Sequence, residues 1–384
     1  MTGRKKVLWL VSWYPNKYDL FDGDFIQRHA KAAALYDNIH VLFVKTSDQQ
    51  QTAETERKEE NGLVEEIIYL PTRNSRLGKI SSYIQWQKAF RSATKAIIEE
   101  EKPDLVHVHI PWKAGLIALW VKRKFNIPFL LTEHWGIYNS IVEDNIYTKP
   151  FIVRYFLKKI YKEASSFISV SRFLGNGVNE TLVKKEFHVI PNVVDNGLFY
   201  PSKEKYERFT FLHVSNMVPL KNVEGILQAF TSFDQIKKGN AHLLMIGNRN
   251  NKYELLAQKL GLTKDAVTFS GELPYSEVAE AMKRSHIFIL NSNIENSPCV
   301  IGEALCCGLP VIATNVGGIP ELVNKENSVL IQKGDTGSLT QAMLELYDRF
   351  SQCNRQEIAL NAQNYFAPSG VGQQFHRLYA SNQY

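Results

Sequence analysis

IFILNSNIENSPCVIGEALCCGLPVIAT, residues 287–314, is the stretch whose reading decides the fold. Its apolar opening, Ile287 to Leu290, has the length and content of a buried strand. Ser297 is the expected N-cap of a short helix, with Pro298 at the first helical position. Gly308 closes that helix, and Pro310 to Ala313 opens the next strand. Strand, loop, helix, strand is one unit of a parallel sheet, and ligands bind such sheets at the carboxyl ends of the strands. Helix N-termini there present unpaired N–H groups and a partial positive charge that suit a phosphate.

Seven residues separate Glu295 from Glu303. A bare carboxylate repels phosphate, so this pair makes better sense as acceptors for hydroxyl groups. One carboxylate can accept from both hydroxyls of a vicinal diol. Phosphate and diol together describe a sugar nucleotide. Downstream, Gly317-Gly318 sits between a strand and Pro320-Glu321, where glycine lets backbone approach a ligand closely. Upstream, Phe211 to Ser215 reads as a strand followed by a polar turn and Lys221, a point charge suited to a diphosphate. Each of these alone is ordinary loop chemistry; their order along the chain carries the argument.

Residues 285–323 resemble the signature region of the retaining glycosyltransferases of family 4, the group 1 transferases with GT-B architecture. That signature is Glu-x7-Glu, then Ala-Leu-x-x-Gly-x-Pro-Val-Ile-Ala-Thr, then Gly-Gly-x-x-Glu. Its elements stand here as Glu295, Glu303-Ala304-Leu305, Gly308, Pro310 to Thr314, Gly317-Gly318 and Glu321. The resemblance implies an α/β fold of two facing Rossmann-like domains with an inter-domain cleft. It also implies a hexosyltransferase-type enzyme that moves a sugar from a nucleotide-diphosphate sugar to a saccharide or lipid-linked saccharide. Retention at the anomeric carbon and a place in cell-surface polysaccharide synthesis follow from the same likeness.

Roles come with it, residue by residue. Glu303 would hold the ribose diol and Glu295 the donor-sugar hydroxyls. Lys221, the amides of Cys299 and Val300 after Ser297, and Gly317-Gly318 would face the diphosphate. Gly23, in the turn after the first strand, matches the family's glycine near the donor phosphate, and His109 matches the histidine that reaches the reaction centre. Lys221, Glu295 and His109 are thus the catalytic candidates. Glu133 and His134 are the acceptor-side candidates, as groups that orient or deprotonate the attacking hydroxyl. His107 shares a face with His109 and is read as structural.

Two departures stand out. Relatives place an arginine five residues before the lysine, where this chain has Asn216; Arg249 is the candidate to compensate. The phosphate loop keeps one glycine, Gly247, where many relatives have two. Two rival readings therefore stay open: a GT-B-like nucleotide-sugar epimerase, and a nucleotide-sugar-binding subunit without turnover. Asp22-Gly23-Asp24 also matches an Asp-x-Asp metal motif, although its place in a strand-to-helix turn argues for plain capping. No metal ligand or cofactor is expected beyond the donor.

Composition agrees. With 384 residues, 44% hydrophobic, two domains are the natural count. The boundaries read 1–190, 197–364, and a helix over 365–384 that crosses back to the first domain. No apolar run is long enough to span a bilayer, and Val7 to Trp13 is too short for a secretory signal. Four cysteines lack disulfide or zinc spacing, which fits reduced thiols in the cytoplasm. The net charge of +6 suits phosphate or an anionic membrane. Lys158, Lys159, Lys162, Lys184 and Lys185, interleaved with Phe151, Tyr155, Phe156 and Tyr161, read first as an amphipathic helix with a solvated face. Their functional reading is peripheral docking at the inner face of the plasma membrane. No nucleic-acid motif is present.

Along the first half, strands are expected at 7–12, 39–45, 105–110, 129–132, 167–171 and 186–190, with helices at 24–35, 81–101, 114–125 and 151–164. Residues 48–61 read as a polar surface loop. In the second half strands are expected near 209–214, 242–246, 267–269, 286–290 and 310–313.

Overall fold

The computed structural model describes residues 3–72 and 75–381. The elements in chain order begin with β1 (Lys6–Val11), α1 (Asp24–Ala34), β2 (Asn38–Ser47), β3 (Glu54–Glu60), β4 (Leu63–Pro71), α2 (Arg76–Glu100) and β5 (Leu105–His109). They continue with α3 (Ala114–Phe125), β6 (Phe129–Glu133), α4 (Phe151–Glu163), β7 (Ser166–Ser169), α5 (Arg172–Thr181) and β8 (His188–Val189). Next come β9 (Phe209–Val214), α6 (Val223–Lys237), β10 (Ala241–Ile246), α7 (Asn251–Lys259), β11 (Val267–Gly271), α8 (Tyr275–Arg284) and β12 (Ile287–Leu290). The last are α9 (Cys299–Cys306), β13 (Val311–Thr314), β14 (Ser328–Ile331), α10 (Thr336–Arg349), α11 (Arg355–Phe366) and α12 (Pro368–Ser381).

Residues up to Val193 together with those from Pro368 form one compact unit, and Val194–Ala367 form a second. The first unit carries an eight-stranded sheet in the order β3-β4-β2-β1-β5-β6-β7-β8. Its pairings are parallel except β3 with β4. Parallel strands are buried on both faces, and one apolar cluster lies on each side of β1: Leu8 and Leu10 on one, Val7, Trp9 and Val11 on the other.

The polar run expected as a loop holds β3 instead. Asn61 and Gly62, with φ of 50° and 83°, make the two-residue turn of a hairpin. β3 is exposed along its whole length, and as an edge strand its charges keep it from pairing with other chains. The Asn-Gly pair was the available signal.

The tail is two helices, not one from Tyr365. Ala367 has extended backbone (φ −56°, ψ 137°) because the ring of Pro368 disfavours the helical region for its predecessor. α12 packs in the first unit against α1, where a Cβ on Gly372 would lie 2.0 Å from the Ala32 carbonyl oxygen. Val371, Phe375 and Tyr379 of this helix are buried in the cluster around Trp9 and Ile26.

The second unit has six parallel strands in the order β11-β10-β9-β12-β13-β14. Again two clusters cover the two faces, one built on Phe211, Phe230 and Phe233, the other on Leu212, Phe288 and Leu305. β14, Ser-Val-Leu-Ile, had no counterpart in the sequence reading. The four cysteines are free thiols. No helix among the described residues is long and apolar enough to cross a membrane.

Candidate active site

In the second unit the site forms where loops leave β9, β12 and β13. After β9 a short 3-10 turn, Pro219–Lys221, ends in Asn222 with φ 46°, and the Asn222 side chain accepts the Gly225 N–H to start α6. The turn aims Lys221 at the loop after β12. Its Nζ lies 2.5 Å from Glu295 Oε1, and both side chains are largely buried. The Ser292 hydroxyl donates to the same oxygen at 2.6 Å.

Backbone contacts hold this loop. The Asn293 N–H donates to the Leu220 carbonyl at 2.7 Å, and the Gly318 N–H to the Glu295 carbonyl at 3.0 Å. The Thr314 hydroxyl donates to the Ser292 carbonyl at 2.6 Å. Gly317 has φ +57°, and a Cβ there would stand 1.9 Å from the Glu295 carbonyl oxygen. The Gly-Gly pair, read from sequence as a close approach to ligand, therefore makes its close approach to the glutamate loop. Gly247 does the same between β9 and β10, since a Cβ on it would overlap the Ser215 carbonyl oxygen at 1.6 Å.

α9 begins at Cys299 with Pro298 at the cap position and no side-chain cap hydrogen bond, so Ser297 is not the N-cap. Glu303 is buried one turn in, and the Tyr275 hydroxyl donates to its Oε1 at 2.7 Å. Tyr275 in turn sits edge-on to Phe199, ring centroids 5.0 Å apart. The sequence held no signal for Tyr275: it lies 28 residues from Glu303 and in no motif. Asn216 is exposed at the end of β9. Arg249 packs its side chain over Gly271 at the end of β11, which in the strand order is separated from β9 by β10.

In the first unit β5 ends in His109, buried and stacked on Trp9 with centroids 4.0 Å apart. Its Nδ1 faces His134 Nε2 at 3.2 Å. Burial first, then the neighbouring imidazoles His107, His134 and His29, hold the His109 pKa well below the ordinary histidine value. His134 is lowered in the same way, and burial takes His29 down to about 4. These rings are neutral at physiological pH. His29 Nε2 binds the Pro191 carbonyl at 2.9 Å. His107 is bracketed by the Tyr379 and Thr132 hydroxyls, each at 2.7 Å, and serves structure. His29, His109 and His134 bring ligand-type nitrogens within 4.8 Å of one another, the group among the described residues with the make-up to hold a metal ion.

Glu133 corrects the acceptor-side expectation. Its Oε1 accepts the His134 and Trp135 N–H groups at 2.9 and 2.8 Å. Its Oε2 accepts the Tyr138 and Tyr161 hydroxyls at 2.7 and 2.5 Å. Four donors fill a fully buried carboxylate, which leaves it nothing to offer an acceptor hydroxyl. Glu133 instead fixes the backbone that carries His134. The Asp-x-Asp metal reading also fails: Asp22 pairs with Lys45 and Asp24 with Arg28, each at 2.7 Å. Gly23, at φ 71°, caps α1, and a Cβ on it would meet the Trp13 backbone at 2.8 Å.

Each unit is thus a Rossmann-like layered sheet, and the second displays paired acidic and basic groups at its ligand edge. Comparison with known proteins gives this a family. Residues 199–362 match the family model "Glycosyl transferases group 1", and residues 31–197 match "Glycosyltransferase Family 4". An uncharacterized glycosyltransferase of Methanocaldococcus jannaschii is 31% identical over 66% of this chain and 68% of its own length. The alpha-monoglucosyldiacylglycerol synthase of Streptococcus pneumoniae is 25% identical over 68% of this chain and 64% of its own. Among solved structures, sucrose-phosphate synthase of Thermosynechococcus elongatus shares the fold at a TM-score of 0.79, with 20% identity, 98% of this chain and 99% of that one covered. HepE of Anabaena, in complex with UDP, does so at 0.75, with 17% identity, 98% of this chain and 100% of that one covered. The chain belongs to the group 1 glycosyl transferases and is a glycosyltransferase of GT-B fold.

Proposed function

We propose that this enzyme transfers a hexosyl unit, with retention, from a nucleotide-diphosphate sugar to a saccharide or lipid-linked saccharide, in cell-surface polysaccharide synthesis. The observation that carries the reading is the Lys221–Glu295 pair at the ligand edge of the second sheet, beside the helix that bears Glu303. Lys221 and the α9 amides stabilise charge growing on the leaving diphosphate, with no metal required. Glu303, oriented by Tyr275, takes the ribose diol. Glu295 takes donor-sugar hydroxyls, and Gly23, Gly247 and Asn216 border the phosphates. His109, a neutral imidazole fully buried in this structure, positions the His134 ring through its Nδ1 contact, and His134 lies on the acceptor side.

In the step itself the bond from the anomeric carbon to the diphosphate oxygen breaks as the acceptor oxygen bonds to the same face of that carbon. The acceptor proton passes to the leaving phosphate. Glu295 stays a hydrogen-bond acceptor throughout. The enzyme works in the cytoplasm at the inner face of the plasma membrane, where a lipid-linked acceptor lies; the relative from S. pneumoniae is named for a lipid product, which supports that choice.

The test is thermal stability of the purified protein against UDP-, GDP-, ADP- and dTDP-sugars without added metal. A ligand at a hundred times its dissociation constant adds about 2.7 kcal/mol. The uridine sugars are the first candidates, since HepE is solved with UDP. A shift with one nucleotide class that Glu303→Ala abolishes supports the reading. No shift with any donor at millimolar concentration overturns it.

A further inference from the structure

We infer that His29, His109 and His134 form a binding site for a zinc ion inside the first unit, with three imidazole ligands and one coordination position left for water.

Three separate segments bring the rings together. His29 is on the buried face of α1 with Ile26, Ala30 and Ala33. His109 ends β5, and His134 directly follows β6, the neighbouring parallel strand on which Thr132 stands opposite His109. One ligand-type nitrogen from each ring lies within 4.8 Å of the other two. His109 Nδ1 and His134 Nε2 are 3.2 Å apart. Two nitrogens on one tetrahedral zinc, each at about 2.0–2.1 Å, stand roughly 3.4 Å from one another. That pair is already at ligand spacing, and the third nitrogen has at most about 1.4 Å to close.

Hydrogen bonding leaves the cluster incomplete. The Pro191 carbonyl can only accept, so His29 carries its proton on Nε2. The lone pair on His29 Nδ1 is then buried with no hydrogen-bond partner among the described residues, and His109 Nε2 is buried without one as well. Buried polar atoms in that condition are uncommon, and an ion is one of the groups that completes them. Metal-bound imidazoles usually donate their second N–H to a carbonyl or carboxylate, which is what His29 does with Pro191. The walls are aromatic. Trp9 stacks on His109 at 4.0 Å between centroids, Phe25 lies 4.8 Å from His134, and Phe375 lies 5.3 Å from His29. Glu133, which accepts the His134 N–H, places a negative charge beside that residue.

Ligand type selects the metal. Three imidazoles without a carboxylate suit zinc, whereas magnesium and calcium take oxygen. Burial keeps all three rings neutral at physiological pH, so each has a lone pair to give without losing a proton. The N–H that joins His109 to His134 moves to the other nitrogen of its own ring as the ion enters. His134 is 9% exposed and the other two rings are fully buried, so the ion arrives past His134. In the proposed reaction zinc withdraws His134 from the acceptor side and inhibits; that consequence rests on the functional reading, and the site itself does not.

The experiment is titration of the chelator-treated full chain with Zn²⁺ in competition with a chromophoric chelator, repeated with Co²⁺ read by its visible absorption. The expected result is one equivalent bound, with the intense Co²⁺ bands of a four-coordinate ion. His29→Gln keeps a donor for the Pro191 carbonyl, and it and His134→Gln should each weaken binding by about a hundredfold or more, since loss of an outer-shell partner alone costs 10–100-fold. Melting curves of the metal-free variants show that they fold. Cys299→Ser/Cys353→Ser, which removes the two partly exposed thiols, should bind as the wild type does. Absence of saturable binding, the weak bands of six-coordinate Co²⁺, or binding that survives the histidine changes and is lost with the thiols overturns the inference. None of these readouts uses donor or acceptor, so failure here leaves the transferase reading to its own test.

Discussion

Lys221 and Glu295, 74 residues apart in sequence, are joined by a 2.5 Å ion pair at the carboxyl edge of the second sheet. The lysine comes from the loop after β9 and the glutamate from the loop after β12. The two charges satisfy each other, and the Ser292 hydroxyl donates to the glutamate as well. An incoming diphosphate competes for the lysine, and donor hydroxyls find a carboxylate already held in position.

Removing the lysine leaves a mostly buried carboxylate without its cation, whereas an amide in place of the glutamate still accepts a hydrogen bond from Lys221. Lys221→Ala is expected to lower kcat/KM by about 10²–10³, the scale of losing one preorganised charge donor. It is also expected to lower stability by about 1–3 kcal/mol. Glu295→Gln keeps the shape and most of the stability while losing turnover. Steady-state kinetics with denaturant titration separates the two effects; equal losses in both variants on both measures would count against the assigned roles.

Gly317→Ala puts a methyl 1.9 Å from the Glu295 carbonyl oxygen on a residue with φ +57°. The alanine costs about 1–2 kcal/mol in the left-handed region, and the clash pushes the glutamate loop away. The expected outcome is a far larger fall in kcat/KM than in melting temperature. A wild-type rate would show that Glu295 need not be held by this turn.

Acid should destabilise the fold through its buried histidines. His29 and His213 have pKa values taken down to about 4 by burial. Between pH 6.5 and 4 the unfolded chain binds protons at these sites and the native chain does not. Stability is therefore unaffected above about pH 7 and falls as pH drops through that window, by up to about 3 kcal/mol per histidine. His29→Gln should flatten the melting-temperature profile below pH 6; an unchanged slope would exclude His29 as a source.

Glu133→Gln replaces two acceptor sites with an amide that faces donors. Stability should fall by about 2–4 kcal/mol, with Tyr138→Phe and Tyr161→Phe each costing less. Urea midpoints for the three variants check this. A stable Glu133→Gln protein with a raised acceptor KM would return the residue to the acceptor site.

Gly372→Ala forces a Cβ to within 2.0 Å of the Ala32 carbonyl oxygen where α12 meets α1. A loss of about 1–3 kcal/mol is expected, read as a lower melting temperature for the first unit. No change would mean that α12 does not seat tightly there.

The sequence by itself determined the layered parallel units and the loop–helix that bears the two glutamates. Those signals are local: apolar runs of strand length, Gly308 at a helix end, Pro310 opening a strand, each confined to a few residues. The Asn61-Gly62 hairpin was equally legible and went unread behind the polar composition of β3. The tertiary structure alone decided who partners whom. Lys221 with Glu295, Tyr275 with Glu303, and Tyr379 with His107, 272 residues away, meet because the parallel sheets bring strand ends from distant segments to one edge and α12 onto the first unit's core. It also reversed Glu133, which the sequence placed at the end of a strand as if open to substrate. Two tyrosines and two backbone amides close around it, and a buried charge requires every one of those donors.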